Sequence, residues 1–384
     1  MHAPTSTAAD VVVVGGGIVG TAAAAFLAAT GARVVLVERE GLASGASGAN
    51  SGIVQHPFDP ILVPLYHETV ALYRDLSSIS SGFHLPSEPA GMLFVSESEA
   101  AARAQAALVI EAFPELRTEV FAGADLQALE PAAAPDLWAC QVDIGYPVMP
   151  GASTYAYATL AEARGAQIRQ GHAATLEIDS DAVVGVRVDG QLLAAGAVLV
   201  AAGPWTAGLL DPTGRWSPIH PLWGAVVEVE LADPPHHVLE QAGIEAVIGG
   251  GVPETAAIPE EQGLLFSLAP LPGASVVGST FLADEPNPQA WMEPILERAS
   301  RFVPAVADAP IRGVRACARP QSVDGRPLIG AVPGLRGLYV CAGHGPWGIS
   351  TGPASARLAA DLILGRDPAI PLELAASRFG VPAA

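Results

Sequence analysis

The sequence predicts an α/β protein of two interleaved domains, and three observations carry the prediction. Val11 to Val14 run into glycines at 15, 17 and 20 and then an Ala-rich stretch, which reads as a buried strand, a tight turn and a helix start, with Val34 to Val37 as the next strand. The same texture of apolar strand and glycine returns at Ala197–Trp205 and again from Arg326 onward. Between these parts the chain is different, and from Pro218 to Pro310 it is rich in proline and in alternating apolar stretches. One domain therefore crosses into the other twice, and such crossings put a cleft between them, where small-molecule sites prefer to lie.

Composition bounds the function. A chain of 384 residues is long enough for more than one domain, and half of it is apolar. A formal charge of −20 argues against nucleic acid and against an anionic membrane surface, both of which recruit clustered basic residues. Cys140, Cys317 and Cys341 are too few for a disulfide framework or a Cys-rich zinc site, which fits a reducing cytoplasm. No metal site is expected. All 19 basic residues are arginine, so Schiff-base chemistry and PLP attachment, which need lysine, are excluded. The first nine residues show no signal-peptide pattern. Val11 to Thr30 is uncharged and long enough to span a membrane, but its glycines at 15 to 17 suit a turn and not a spanning helix.

Along the chain, Gly15 allows the turn, Gly17 lets the backbone approach a pyrophosphate, and Gly20 lets helix and strand pack closely, with Ile18 and Val19 opening the helix. Glu38 ends the second strand, where a carboxylate accepts from ribose hydroxyls and repels a 2′-phosphate. The ligand expected is FAD or NAD, not NADP, with Arg39 beside it. Residues 41–53 are too rich in small residues to pack as a helix and read as a second cofactor loop, contributing Ser44, Ser47, Asn50, Ser51 and Gly52. Helical spacing covers Pro60–Ile79, and Gly91–Val95 reads as a strand before an acidic helix that starts at Ser96–Glu99 and ends near Phe113. A helix from Ser153 to Gly165 leads into short strands at 167–171, 174–178 and 183–188. Then comes a wholly buried strand whose end supplies Ala202, Gly203 and Trp205. Strands at Ala225–Leu231 and Gly263–Leu268, a helix at Gln289–Phe302, strands at Arg326–Gly330 and Gly337–Gly343, and a helix at Pro353–Leu364 complete the reading.

These residues resemble the D-amino-acid oxidase superfamily of FAD-dependent oxidoreductases, most closely its glycine oxidase and sarcosine oxidase branches. The resemblance covers nearly the whole chain and rests on Gly15-x-Gly17-x-x-Gly20 with Glu38, the small-residue loop at 45–52, Val200–Trp205, and the run from Arg319 to Pro353. It implies a Rossmann-type FAD-binding domain (8–56, 148–212 and 312–384) interleaved with an α+β substrate domain built on a mostly antiparallel sheet (57–147 and 213–311).

The resemblance also implies roles. Arg319 matches the arginine that clamps a substrate carboxylate, which a planar guanidinium grips through two parallel charge-assisted bonds. A salt bridge to an acid such as Asp324 is its other reading. Arg315 shares its face if the segment is extended, and either meets a second acidic group or makes a structural pair. The loop Gly343–Pro353 resembles the one that wraps the flavin pyrimidine edge, through Gly343, Gly345, Gly348, Ile349, Ser350 and Thr351; His344 and Trp347 face the substrate or simply pack. Further candidates for the cleft wall are His56, Tyr66, Tyr146 and Trp223. Cys317 stands where sarcosine-oxidase relatives carry a cysteine bonded to the flavin, whereas glycine-oxidase relatives have no such bond; a buried core thiol is the alternative. Sarcosine-oxidase relatives also use a lysine to activate oxygen, and this chain has none.

The expected reaction is oxidation of the C–N bond of an amino acid or secondary amino acid by hydride transfer to flavin N5, with oxygen or another electron acceptor taking the electrons. Oxidation of a 2-hydroxy acid on the same scaffold, and a non-catalytic FAD-binding subunit of a larger complex, are the alternatives. Either a homo- or a hetero-oligomer is compatible with the sequence.

Overall fold

The computed structural model describes residues 8–244, 263–380 and Pro382; most of the N-terminal stretch read above for a signal peptide lies outside these. Two eight-stranded sheets organise the chain. At the centre of the first, Ala9–Val14 pairs in parallel with Val34–Glu38 on one side and Gln191–Val200 on the other. Gln167–Gln170 extends it in parallel beyond Val34–Glu38, and Leu338–Ala342 does so beyond Gln191–Val200. Leu328–Ala331 closes that edge antiparallel, and Ala174–Asp179 and Ala182–Val188 add an antiparallel flap.

Strand alternation assigns the core. Val11 and Val13 pack under the helices Ile18–Ala28, Ala152–Ala163 and Gly348–Ile363, while Val12 and Val14 join Val198, Val200 and Trp216 on the opposite face. Each of these valines is buried, a contribution of about 1.5–3 kcal/mol apiece. Strand, turn and helix thus consume the uncharged stretch at 11–30, and among the described residues no helix is long and apolar enough to cross a membrane.

The second sheet runs Ile311–Ser322, Ile219–Val229, Ala274–Thr280, Leu264–Leu271, Val238–Gln241, Met92–Ser96, Trp138–Val142, Thr118–Ala122. Every neighbouring pair is antiparallel except Val238–Gln241 with Met92–Ser96. The helix Pro288–Ser300 covers one face, and the other looks toward the first sheet.

Three details differ from the sequence reading. Ile311–Ser322 pairs with Ile219–Val229 along its length, so this strand, expected in the FAD-binding segment, lies in the antiparallel sheet and the chain crosses back only after Ser322. The last helix starts at Gly348, five residues before the expected Pro353, which lies inside it; the Ile349 carbonyl that the missing Pro353 N–H would have bonded accepts from the Tyr73 hydroxyl at 2.9 Å instead. The small-residue loop holds one helical turn, Ala46–Ala49, which the Asn50 side chain closes by donating to the Ala46 and Ser47 carbonyls.

Candidate active site

One long cleft runs between the sheets. At one end Gly15 has φ +118°, and a Cβ there would meet the Ala201 carbonyl oxygen at 2.3 Å, so the turn passes directly against the end of the neighbouring strand. Gly20 is needed for the same reason: its Cβ would lie 1.9 Å from the Gly15 oxygen. The first free N–H of the helix, that of Ile18, donates to Ser47 Oγ at 2.9 Å. A polar oxygen therefore already sits where helix dipole and open N–H groups favour an anion. Glu38 accepts from the Gly16 N–H at 2.6 Å and from the Glu40 N–H at 2.8 Å, which fixes its carboxylate at the cleft mouth. Arg39 stacks over Trp205 at 3.9 Å, beside it.

At the middle of the cleft a second helix end opens. Gly345 has φ +53°, and a Cβ there would strike Gln321 Oε1 at 2.6 Å, so the backbone at 343–348 lies close against the strand Ile311–Ser322. The helix Gly348–Ile363 presents its first residues to the cleft, packed on Ile18 and Val19 through Gly352. Buried atoms without a partner, His344 Nε2 and Gln321 Oε1, mark the same place. Two helix N-termini, an acid at the far mouth and unsatisfied polar atoms at the centre together form a cradle whose donors suit an extended dinucleotide.

Beyond the cradle lies Arg319. Its guanidinium donates to the Thr280 carbonyl at 2.9 Å and to Ser279 Oγ at 2.7 Å, and stacks 4.6 Å from the Phe281 ring centroid. Neither hydrogen-bond partner is charged. The acid proposed as its alternative, Asp324, pairs instead with Arg378. Burial lowers the Arg319 pKa, from so high a value that the charge stays on. A fixed cation facing the cleft can hold a carboxylate, and among the described residues no acid pairs with it.

Most expected residues line this cleft, including Gly15, Gly17, Glu38, Ser47, Trp205, His344, Trp347, Cys317 and Arg319. Gly20, Gly52, Gly343 and Thr351 do not: the glycines make room for backbone or side-chain neighbours, and Thr351 donates to the Trp347 carbonyl inside its own helix. Arg315 does not line the cleft, and of its two expected readings the structure shows a structural pair. It lies on the face of Arg319 as extended spacing requires, but is held by Glu228 and by the Ala49 and Asn50 carbonyls, so it braces the small-residue loop. His56 and Tyr66 leave the cleft wall as well, packing edge-on with each other and with Phe58 and Phe113. Tyr146 is buried near Arg74, and Trp223 points away from the cleft, on the opposite side of its strand from Gly224. Cys317 faces the cleft beside the Ala49 carbonyl, 3.6 Å away, and burial raises its pKa against the pull of Arg319 and Arg315.

The cleft residues that the sequence reading missed include Gln55, Gly224, Glu240, Ser279 and Phe281. Strand pairing and long-range side-chain bonds bring them together.

Fold and site together define a dinucleotide-dependent enzyme with its reaction cleft between two sheets. The chain belongs to the FAD dependent oxidoreductase family, whose model matches residues 10–362, and its cofactor is FAD. It is similar to a glycine oxidase of Pseudomonas aeruginosa, at 30% identity over 94% of this chain and 96% of that one. A glycine oxidase of Geobacillus kaustophilus is 28% identical over 94% and 95% of the two chains. Among solved structures, a glycine oxidase from Bacillus cereus superposes with a TM-score of 0.81 at 26% identity, covering 96% of this chain and 99% of that one.

Proposed function

We propose that the protein oxidises the C–N bond of an amino acid or secondary amino acid, giving an imine that water hydrolyses to an oxo acid and ammonia, or to an aldehyde and a primary amine. The observation that carries this reading is Arg319: a fixed guanidinium that faces the cleft with hydroxyl, carbonyl and aromatic partners and, among the described residues, no acid. The similar glycine oxidases support the choice of an amino acid.

When bound, FAD supplies the two-electron acceptor. This chain's residues do the rest. Arg319 takes the substrate carboxylate and turns the carbon that bears the amine toward the ring position; Phe281 holds the guanidinium in plane, and Trp347 closes an apolar wall that limits water. The backbone N–H groups at the start of Gly348–Ile363 would help hold the flavin and would favour negative charge developing on it, which would make it a better acceptor. Burial pushes the His344 pKa down to about 4, so its imidazole is neutral near pH 7 and not a cation. No side-chain base is required if the amine binds neutral, and the proton released as the imine forms leaves to water.

The test is anaerobic bleaching of the flavin by D- and L-amino acids, N-methyl amino acids and 2-hydroxy acids. Amino acids should bleach it, and Arg319→Leu should lower kcat/KM at least about 100-fold with FAD still bound, Arg319→Lys recovering only part because an ammonium lacks the fork. Bleaching by 2-hydroxy acids alone, or wild-type kinetics in the Leu variant, would overturn the proposal.

A further inference from the structure

A second concavity lies at the opposite ends of the helices that open into the cleft. Ile18–Ala28, Val63–Ile79, Ala152–Ala163 and Gly348–Ile363 bring their last turns around a groove of about 620 Å³, room for a small molecule. Ile18–Ala28 and Gly348–Ile363 begin in the cleft, and at about 1.5 Å per residue their far ends stand roughly 16–24 Å from it. Phe26, Leu72, Leu76, Ile79, Leu160 and Leu364 give the groove an apolar wall, of which Ile79 is 65% exposed. Tyr157 lines it too; its side chain is buried, and its hydroxyl has no hydrogen-bond partner among the described residues. Such a hydroxyl costs free energy until something bonds it, and a molecule seated in the groove can do so.

Two opposite charges stand open in the same place. Arg357 pairs with Glu68 and Arg366 with Asp361, so these guanidinia are engaged. Arg164 donates to the Ala25 carbonyl at 3.0 Å, and among the described residues neither Arg164 nor Asp75, on Val63–Ile79, has an ion-pair partner. Burial raises the Tyr157 pKa, with Asp75 adding to the rise and Arg164 opposing it, so both charges act at its hydroxyl. A simple anion here would meet Asp75 and the negative ends of four helices, and a simple cation would meet three guanidinia. A zwitterion answers both: its carboxylate suits Arg164, its ammonium suits Asp75 and the helix ends, and an apolar side chain covers the leucines.

We propose that this groove is a second binding site, for a free amino acid with an apolar side chain, held by Arg164, Asp75 and Tyr157. It is separate from the cofactor cleft and does not depend on the reaction read from Arg319.

The experiment is titration calorimetry of the holoenzyme with its flavin photoreduced in the absence of air, so that nothing turns over. Leucine, as one or both enantiomers, should bind wild type, and the Kd of this site should rise at least about tenfold in Arg164→Ala and in Asp75→Asn. Isocaproate, which lacks the amine, and isoamylamine, which lacks the carboxylate, should each bind at least about tenfold more weakly than leucine. Anaerobic flavin reduction by substrate should be unchanged in both variants, with FAD absorbance and melting temperature showing each folded. If Arg164→Ala fails to fold without its bond to Ala25, Asp75→Asn, isosteric and exposed, decides alone. Absence of leucine binding, equal binding in wild type and variants, or isocaproate binding as tightly as leucine overturns the inference. A leucine signal lost only in Arg319→Leu belongs to the cleft and overturns it as well, leaving the Arg319 reading standing.

Discussion

The guanidinium of Arg319 lies directly over Gly224: a Cβ on that glycine would come within 2.5 Å of both Nη1 and Nη2. Gly224 is opposite Cys317 in the strand register, so the gap it leaves is what lets Arg319 lean across one strand to the Thr280 carbonyl.

Gly224→Ala should therefore injure substrate handling more than folding. The guanidinium has to shift by an ångström or more, and a displacement of that size costs roughly 100-fold in rate when geometry is the mechanism. KM for the amino acid should rise with little change in FAD content or melting temperature; unaltered steady-state kinetics would show that the arginine has another place to go.

The thiol at 317 should remain unbonded to the cofactor. Attack by sulfur needs the thiolate, and burial pushes the Cys317 pKa up. Acid precipitation should leave a colourless pellet and free FAD in the supernatant, and colour retained in the pellet but lost in Cys317→Ser would reverse the assignment.

Acid should unfold the protein through two imidazoles. Burial pushes the pKa of His56 and of His344 down to about 4, below the 6.5 of a free histidine. Between these values the unfolded chain binds protons that the folded chain refuses, so the stability is intact above about pH 6.5 and drains away as pH falls toward 4. Each site accounts for about 2–3 kcal/mol by pH 4.5. Urea midpoints from pH 7.5 to 4.5 would show it, and His56→Leu should flatten the decline by that amount; an identical decline in the variant would mean that His56 titrates freely.

Oxygen should be a poor acceptor beside an artificial dye. Reduction of oxygen passes through an anion, which a fixed cation near the ring stabilises in a dry pocket. The chain has no lysine, His344 is neutral near pH 7, and on the proposed reading Arg319 holds the substrate during turnover. Flavin reduced anaerobically and then mixed with either air-saturated buffer or dichlorophenolindophenol gives the two rates. Faster reoxidation by oxygen, with one peroxide per flavin, would make the enzyme a true oxidase.

Legibility in the sequence followed the range of the interactions. Gly15, Gly17, Gly20 and Glu38 were readable because turn, helix start and strand end are set by neighbours a few residues away. Strand limits such as Met92–Ser96 and Leu338–Ala342 fell within a residue or two of expectation for the same reason. Arg315 and Arg319 share a face as extended spacing says, yet their different fates depend on what lies opposite: Glu228 and a loop 265 residues earlier for one, Gly224 and Phe281 for the other. Glu240 was invisible because its neighbours, Ser267 and Gln55, come from strand pairing and from a bond spanning 185 residues, which no local pattern records.

The two helices whose first residues meet in the cleft, Ile18–Ala28 and Gly348–Ile363, begin 330 positions apart and touch through Gly352. A chain emerging from the ribosome thus makes its dinucleotide turn early but lacks the ring-facing half of the cradle until the last strand and helix have followed. Capture of FAD should therefore wait for synthesis of the last helix. Loss of the last helix would remove not only its own contacts but the packing partner of the first, leaving the glycine turn without the wall that completes it.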